Sequence, residues 1–201
     1  MGLLFSRGAS LASVTSIHRS PIFWGEMSPC EHAVQIYGDD AMFMDALEGF
    51  IGAGLAGGEG AIAIATPAHL EGLEARLAAH GIDVAAARHE RRYLGLPADR
   101  VLRDFMLDGW PDEQRFLQVV TTLLDSARGP GRRVRAFGEM VALLWAQGHA
   151  AATVRLEHLW NKLCMRERFP LFCAYPKAGF TSDPTDSLRD LCATHSRVFY
   201  G

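Results

Sequence analysis

A glutamate set at the end of an apolar strand is the first residue in this sequence that suggests a binding site. Val134–Phe137 reads as a strand, Gly138 breaks it, and Glu139 follows at its carboxyl end. Beyond it, Glu157, Trp160 and Asn161 stand at i, i+3 and i+4 of a helical stretch, so they share one face. A second strand, Leu171–Ala174, then delivers Tyr175 and Pro176. Open α/β sheets bind ligands outside the carboxyl ends of their strands, so polar residues placed there mark a candidate pocket. Tyr37, Thr66, Glu139 and Tyr175 each fall at or just past a strand end, and parallel strands bring such ends to one rim. Trp145, Glu157, Trp160 and Asn161 are expected to close that pocket from the following helices, with His32 supporting it from the first strand. The same residues admit another reading, in which Glu139 caps the next helix and the others form a buried polar network that fixes the fold.

Other chemistries find less support. Gly52–Gly57 spells GxGxxG, but a dinucleotide site needs a strand before the glycines and a helix after them. Here a helix comes first, so the glycines read as a helix end packed close to its neighbour. No GxxxxGK[ST] phosphate loop, HExxH metal motif or GxSxG nucleophile elbow occurs. The histidines are scattered, and His158 and Cys164 do not share a helical face. Neither a catalytic residue nor a metal ligand nor a cofactor is therefore expected.

FGEMVALLW, LEHLWNKL and FCAYP, preceded upstream by HAVQIYGDD and GEGAIAIATPAH, resemble the MEDS domain, the sensory domain of methanogen and methylotroph regulators such as the dichloromethane-responsive repressor. The resemblance covers about residues 31–176, with several motifs in the expected order. It implies a RecA/KaiC-like α/β fold without a working nucleotide loop. In such folds the phosphate loop joins the first strand to the first helix. This chain has YGDDAMFM there, without lysine, and Asp39 and Asp40 repel phosphate rather than cradle it. The resemblance further implies a non-enzymatic sensor of a small organic ligand, a simple hydrocarbon derivative among the candidates. Its alternatives are a residual nucleotide-binding or ATPase-type protein and a ligand-free interaction module. Without a DNA-binding or kinase segment in sight, the output is expected on a signalling partner (a kinase or regulator) or on a second copy, with a homodimer favoured.

The elements that must position these residues are legible from periodicity. Strands are expected near 32–37, 61–66, 93–96, 133–138 and 171–175. Between them, Phe43, Leu47, Phe50 and Ile51 form one helical stripe, and Phe116, Val119, Val120, Leu123 and Leu124 another. Ala61–Ala65 is continuously apolar, as suits a strand buried on both faces. Alternation of strands and helices predicts a three-layer α/β fold, a mainly parallel sheet covered by helices on both faces. Residues 1–30 are expected as a loosely ordered arm, 31–176 as the sensory domain, and 177–201 as a loop with a short helix over Ser187–Val198. At 201 residues, 49% hydrophobic and 21% charged, the chain suits one well-buried domain. A net charge of −3 gives no support for nucleic-acid binding, and the basic run Arg88–Arg92 reads as a solvated loop. Four cysteines without CxxC spacing, and no bilayer-length apolar run, point to a reduced cytoplasmic setting off the membrane.

Overall fold

The computed structural model describes residues 24–25, 27–180 and 193–200. In chain order its elements are β1 (His32–Tyr37), α1 (Asp40–Ala56), β2 (Gly60–Ala65), α2 (Pro67–Ala79), α3 (Val84–His89) and β3 (Tyr93–Pro97). Then come α4 (Ala98–Phe105), the short strands β4 (Met106–Leu107) and β5 (Trp110–Pro111), α5 (Glu113–Arg128) and β6 (Val134–Gly138). Finally α6 (Met140–Ala146) and α7 (Ala150–Glu167) precede β7 (Leu171–Pro176), a 3-10 turn (Lys177–Phe180) and β8 (Arg197–Tyr200).

Six strands form one sheet in the order β3-β2-β6-β7-β1-β8, every neighbouring pair parallel. Because side chains alternate along a strand, the sheet has two apolar faces. Val34, Ile36, Ile62, Ile64, Cys173 and Tyr175 point to the face covered by α4, α5, α6 and α7. Ala33, Ala61, Ala63, Phe137, Phe172 and Ala174 point to the opposite face, covered by α1 and α2. This is the three-layer α/β arrangement expected from the sequence, with five strands where the apolar runs placed them.

Local chemistry sets the helix starts. Asp39 caps α1 by accepting from Ala41 N, and Asp112 caps α5 by accepting from Arg115 N. Thr66 caps α2, with Pro67 in the first turn where its missing N–H costs nothing. The GxGxxG glycines sit in the last turns of α1, where Gly54 lies against the side chain of Arg135. They are a close-packing device, as expected.

Three features differ from the sequence reading. Arg88 and His89, expected in a solvated loop, close the short helix α3, where Arg88 pairs with Glu74. The stretch Met106–Pro111 is a β-hairpin whose central residues, Asp108 and Gly109, both have positive φ of 47° and 78°. An Asp-Gly pair between apolar residues is a strong hairpin signal, which the helix periodicity on either side obscured. The helix expected over Ser187–Val198 gives way at its end to β8, which pairs with β1. Four residues, Arg197–Tyr200, are too few for a helix–strand decision from periodicity, and the open edge of β1 decided it. Residues 187–192 of that expected helix lie outside the described residues, as does most of the expected arm. Trp24 and Met27, from the arm's end, are buried in the α1/α2 face, Trp24 against Phe50, Phe172 and Phe199.

Candidate functional site

The nine residues expected around one pocket fall into two groups, separated by the sheet. Tyr37, Thr66 and Glu139 lie at the strand ends on the α1/α2 side. His32, Trp145, Glu157, Trp160, Asn161 and Tyr175 lie with α6 and α7 on the other.

The first group is organised by Glu139. Its backbone N–H donates to Ile64 O at 2.8 Å, which ties the end of β6 to β2. It occupies the N-cap position of α6 yet makes no side-chain cap. Its carboxylate turns to α2 instead, where Oε2 accepts from Thr66 N and Oε1 meets His69 Nδ1, both at 2.8 Å. The far nitrogen of His69, Nε2, lies 3.3 Å from Asp40 Oδ1. Phe43 completes the rim, with Tyr37 stacked on it at 4.7 Å between centroids and His69 edge-on at 5.0 Å. Burial, followed by the Glu139 and Asp40 carboxylates, pushes the Tyr37 hydroxyl up to about 12. His69 was not among the expected residues, although its place in the first turn after Thr66-Pro67 is the available signal.

His69 is held above its ordinary pKa, first by its hydrogen bond to Glu139 and despite partial burial. A raised value means that the fold prefers the imidazolium. The stabilisation it brings is complete below the free-imidazole value of 6.5 and fades as pH rises through the native value. In urea unfolding, the midpoint gap between wild type and His69→Gln is therefore expected to be largest at mildly acid pH and to shrink toward alkaline pH. A gap that widens with pH would contradict the pairing.

The second group surrounds Glu157, a fully buried carboxylate on α7. Tyr175 Oη donates to its Oε1 at 2.5 Å. The other oxygen, Oε2, faces His32 Nε2 at 3.5 Å, His195 Nε2 at 3.5 Å and Cys173 Sγ at 3.9 Å. Cys173 Sγ and His32 Nε2 are themselves 3.5 Å apart, and the two imidazoles lie 4.0 Å apart between centroids. Thr194 Oγ1 meets the opposite nitrogen of His195, Nδ1, at 3.1 Å. Burial pushes Glu157 upward, but His195, His32 and Tyr175 outweigh it and leave the carboxyl below its usual range. Burial lowers His32 to about 3, with His195 adding to the shift. Burial and then Glu157 raise both Cys173 and Tyr175 well above their ordinary values.

Asn161 is half-exposed beside His32, one turn along from Glu157. Trp160 points elsewhere: it is fully buried and packs edge-on against Phe116 at 5.1 Å. Trp145 donates from Nε1 to Gly179 O at 2.8 Å and packs on Phe180 at 5.0 Å, which also covers Tyr175. Sequence reasoning missed Cys173 and His195. Cys173 shares a strand face with Tyr175 and was within reach of a period-two argument; His195 carries no local signal.

A groove of about 270 Å³ opens between α4, the β4–β5 hairpin and α6. Leu102, Met106, Leu143 and Leu144 make its apolar wall, and Asp99, Arg103, Gln147 and His149 supply polar groups. None of the nine expected residues lines it. No helix of the described residues is long and apolar enough to cross a membrane.

No curated protein matches the chain. A solved structural-genomics protein of Pyrococcus horikoshii OT3 is similar over 87% of this chain and 83% of its own, with a TM-score of 0.54 and 11% identity. At that identity the likeness is one of fold alone. The family model described as the MEthanogen/methylotroph, DcmR Sensory domain (MEDS) matches residues 31–196, which include both groups of candidate residues, and the chain belongs to the MEDS family.

Proposed function

We propose that this chain is a non-catalytic sensory domain that takes a small organic ligand, of the size of a simple hydrocarbon derivative, into the groove beside α6. The observation that carries the reading is the acidic turn between β1 and α1. Asp39 there is committed to capping α1 and Asp40 faces His69, so carboxylates stand where a phosphate would need donors. Glu139, the acid at the neighbouring strand end, has both oxygens engaged by Thr66 and His69. The acid thus serves to hold the end of β6 to α2. The groove instead joins an apolar wall to polar groups at its margin, and at about 270 Å³ it is sized for a very small molecule. Occupancy would act on α6, which starts immediately after Glu139 and carries Trp145 against the Tyr175 side of the sheet. Readout then falls to a signalling partner or to a second copy of the chain.

Thermal-shift measurements test this, because a ligand that binds only the native state raises its melting temperature. Short alcohols, amines and halocarbons are the probes, with magnesium-ATP alongside. Stabilisation by an organic probe is expected, retained in Glu139→Gln and lost in Leu143→Trp, whose indole fills the groove. Stabilisation by magnesium-ATP together with turnover that Glu139→Gln abolishes would replace this reading with a nucleotide enzyme.

A further inference from the structure

We propose that His32, Glu157, Cys173 and His195 form a closed, four-coordinate metal centre for zinc, buried between the sheet and α7. It stands apart from the ligand reading above and survives if that reading fails.

The argument begins with ligand types. Two imidazoles, a thiolate and a carboxylate are a zinc donor set, and the thiol disfavours the harder ions magnesium and calcium. Geometry follows. Zinc with bonds of about 2.0–2.3 Å to tetrahedral ligands holds its donor atoms about 3.3–3.7 Å apart. Three of the separations here, His32 Nε2 to Glu157 Oε2, His195 Nε2 to Glu157 Oε2 and Cys173 Sγ to His32 Nε2, are 3.5 Å each. All four donors lie within 4.8 Å of one another, so the widest pair has to close by about 1 Å on an ion.

Charge and outer contacts agree. A zinc ion with two neutral imidazoles, one carboxylate and one thiolate is neutral overall, which suits a site where every ligand is buried. Binding sends the proton of the Cys173 thiol to solvent, together with any proton that His195 carries opposite Glu157. Tyr175 holds the second oxygen of Glu157 and Thr194 meets the second nitrogen of His195. Such outer hydrogen bonds orient first ligands toward a metal. With four protein ligands no position is left open for water, so the centre is structural rather than hydrolytic.

Its ligands come from β1, α7, β7 and the segment leading into β8. His195 is the member that ties the last strand down: Ser196 N and Oγ both donate to His32 O, at 2.8 and 2.9 Å, beside the cluster. Metal would thus fasten β8 to the edge of β1.

Metal analysis of the untagged chain purified from zinc-supplemented medium is expected to find one zinc per chain. Stripping with a chelator and reloading with Co²⁺ should give the visible bands of tetrahedral cobalt and a thiolate-to-cobalt charge-transfer band. Cys173→Ser should lose the charge-transfer band, while Cys30→Ser and Cys192→Ser keep it. Should Cys173→Ser fail to fold, His195→Gln serves in its place and should lower metal content and expose the C-terminal segment to protease. Wild type that binds neither ion, or a cobalt spectrum without a thiolate band, would overturn the proposal.

Discussion

Replacing Glu59 with alanine is expected to cost the fold about 3–5 kcal/mol, because it strands a buried guanidinium. Arg135 lies on β6 with no exposed surface, under the end of α1. Its Nε donates to Glu59 Oε2 at 2.7 Å, and its Nη1 donates to Phe50 O at 2.8 Å and Trp24 O at 3.2 Å. The charge also sits over the Phe50 ring, 5.2 Å from its centroid. The carbonyls satisfy hydrogens but not charge, so Glu59 is the one partner that neutralises it among these contacts. Urea unfolding at neutral pH measures the loss. The double variant Glu59→Ala/Arg135→Met removes the charge together with its partner and should recover most of the stability. If the double variant is no better than the single one, the packing of the long arginine stem matters more than its charge.

Trp160→Ala should be comparably damaging, about 3–5 kcal/mol, through the cavity left behind α7. Trp160 is fully buried against Phe116, and its indole Nε1 has no hydrogen-bond partner among the described residues. Trp160→Phe therefore forfeits volume but no hydrogen bond, and it should cost clearly less than alanine. Neither variant should abolish the response to an organic probe bound in the α4–α6 groove, which Trp160 does not line. Loss of that response in a folded Trp160→Phe protein would return Trp160 to the ligand site.

Trp160 and Glu157 also mark where sequence reading stops. Both lie on the same helical face in the sequence, and both are buried, yet they serve different surroundings. Glu157 meets β1, β7 and the segment before β8, whereas Trp160 meets α5. Helical spacing gives a direction around the helix axis but not which neighbour waits there. Glu139 shows the same limit in another form. Its place at a strand end was legible, but the choice of α2 over its own helix depends on β2 lying beside β6.

What the sequence determined by itself is the layered α/β plan and the lack of a phosphate-binding lysine loop. Both follow from patterns local in the chain: apolar runs and stripes, Thr66-Pro67 at a helix start, two aspartates in the first turn. Tertiary structure alone decided which polar residues share a site. The strand order places β1 between β7 and β8, and this brings His32, Cys173 and His195 together under Glu157. Those four residues have no common spacing to read, because sheet neighbours are set by pairing and packing between elements distant in sequence. A site assembled across such neighbours becomes visible only when the sheet has closed.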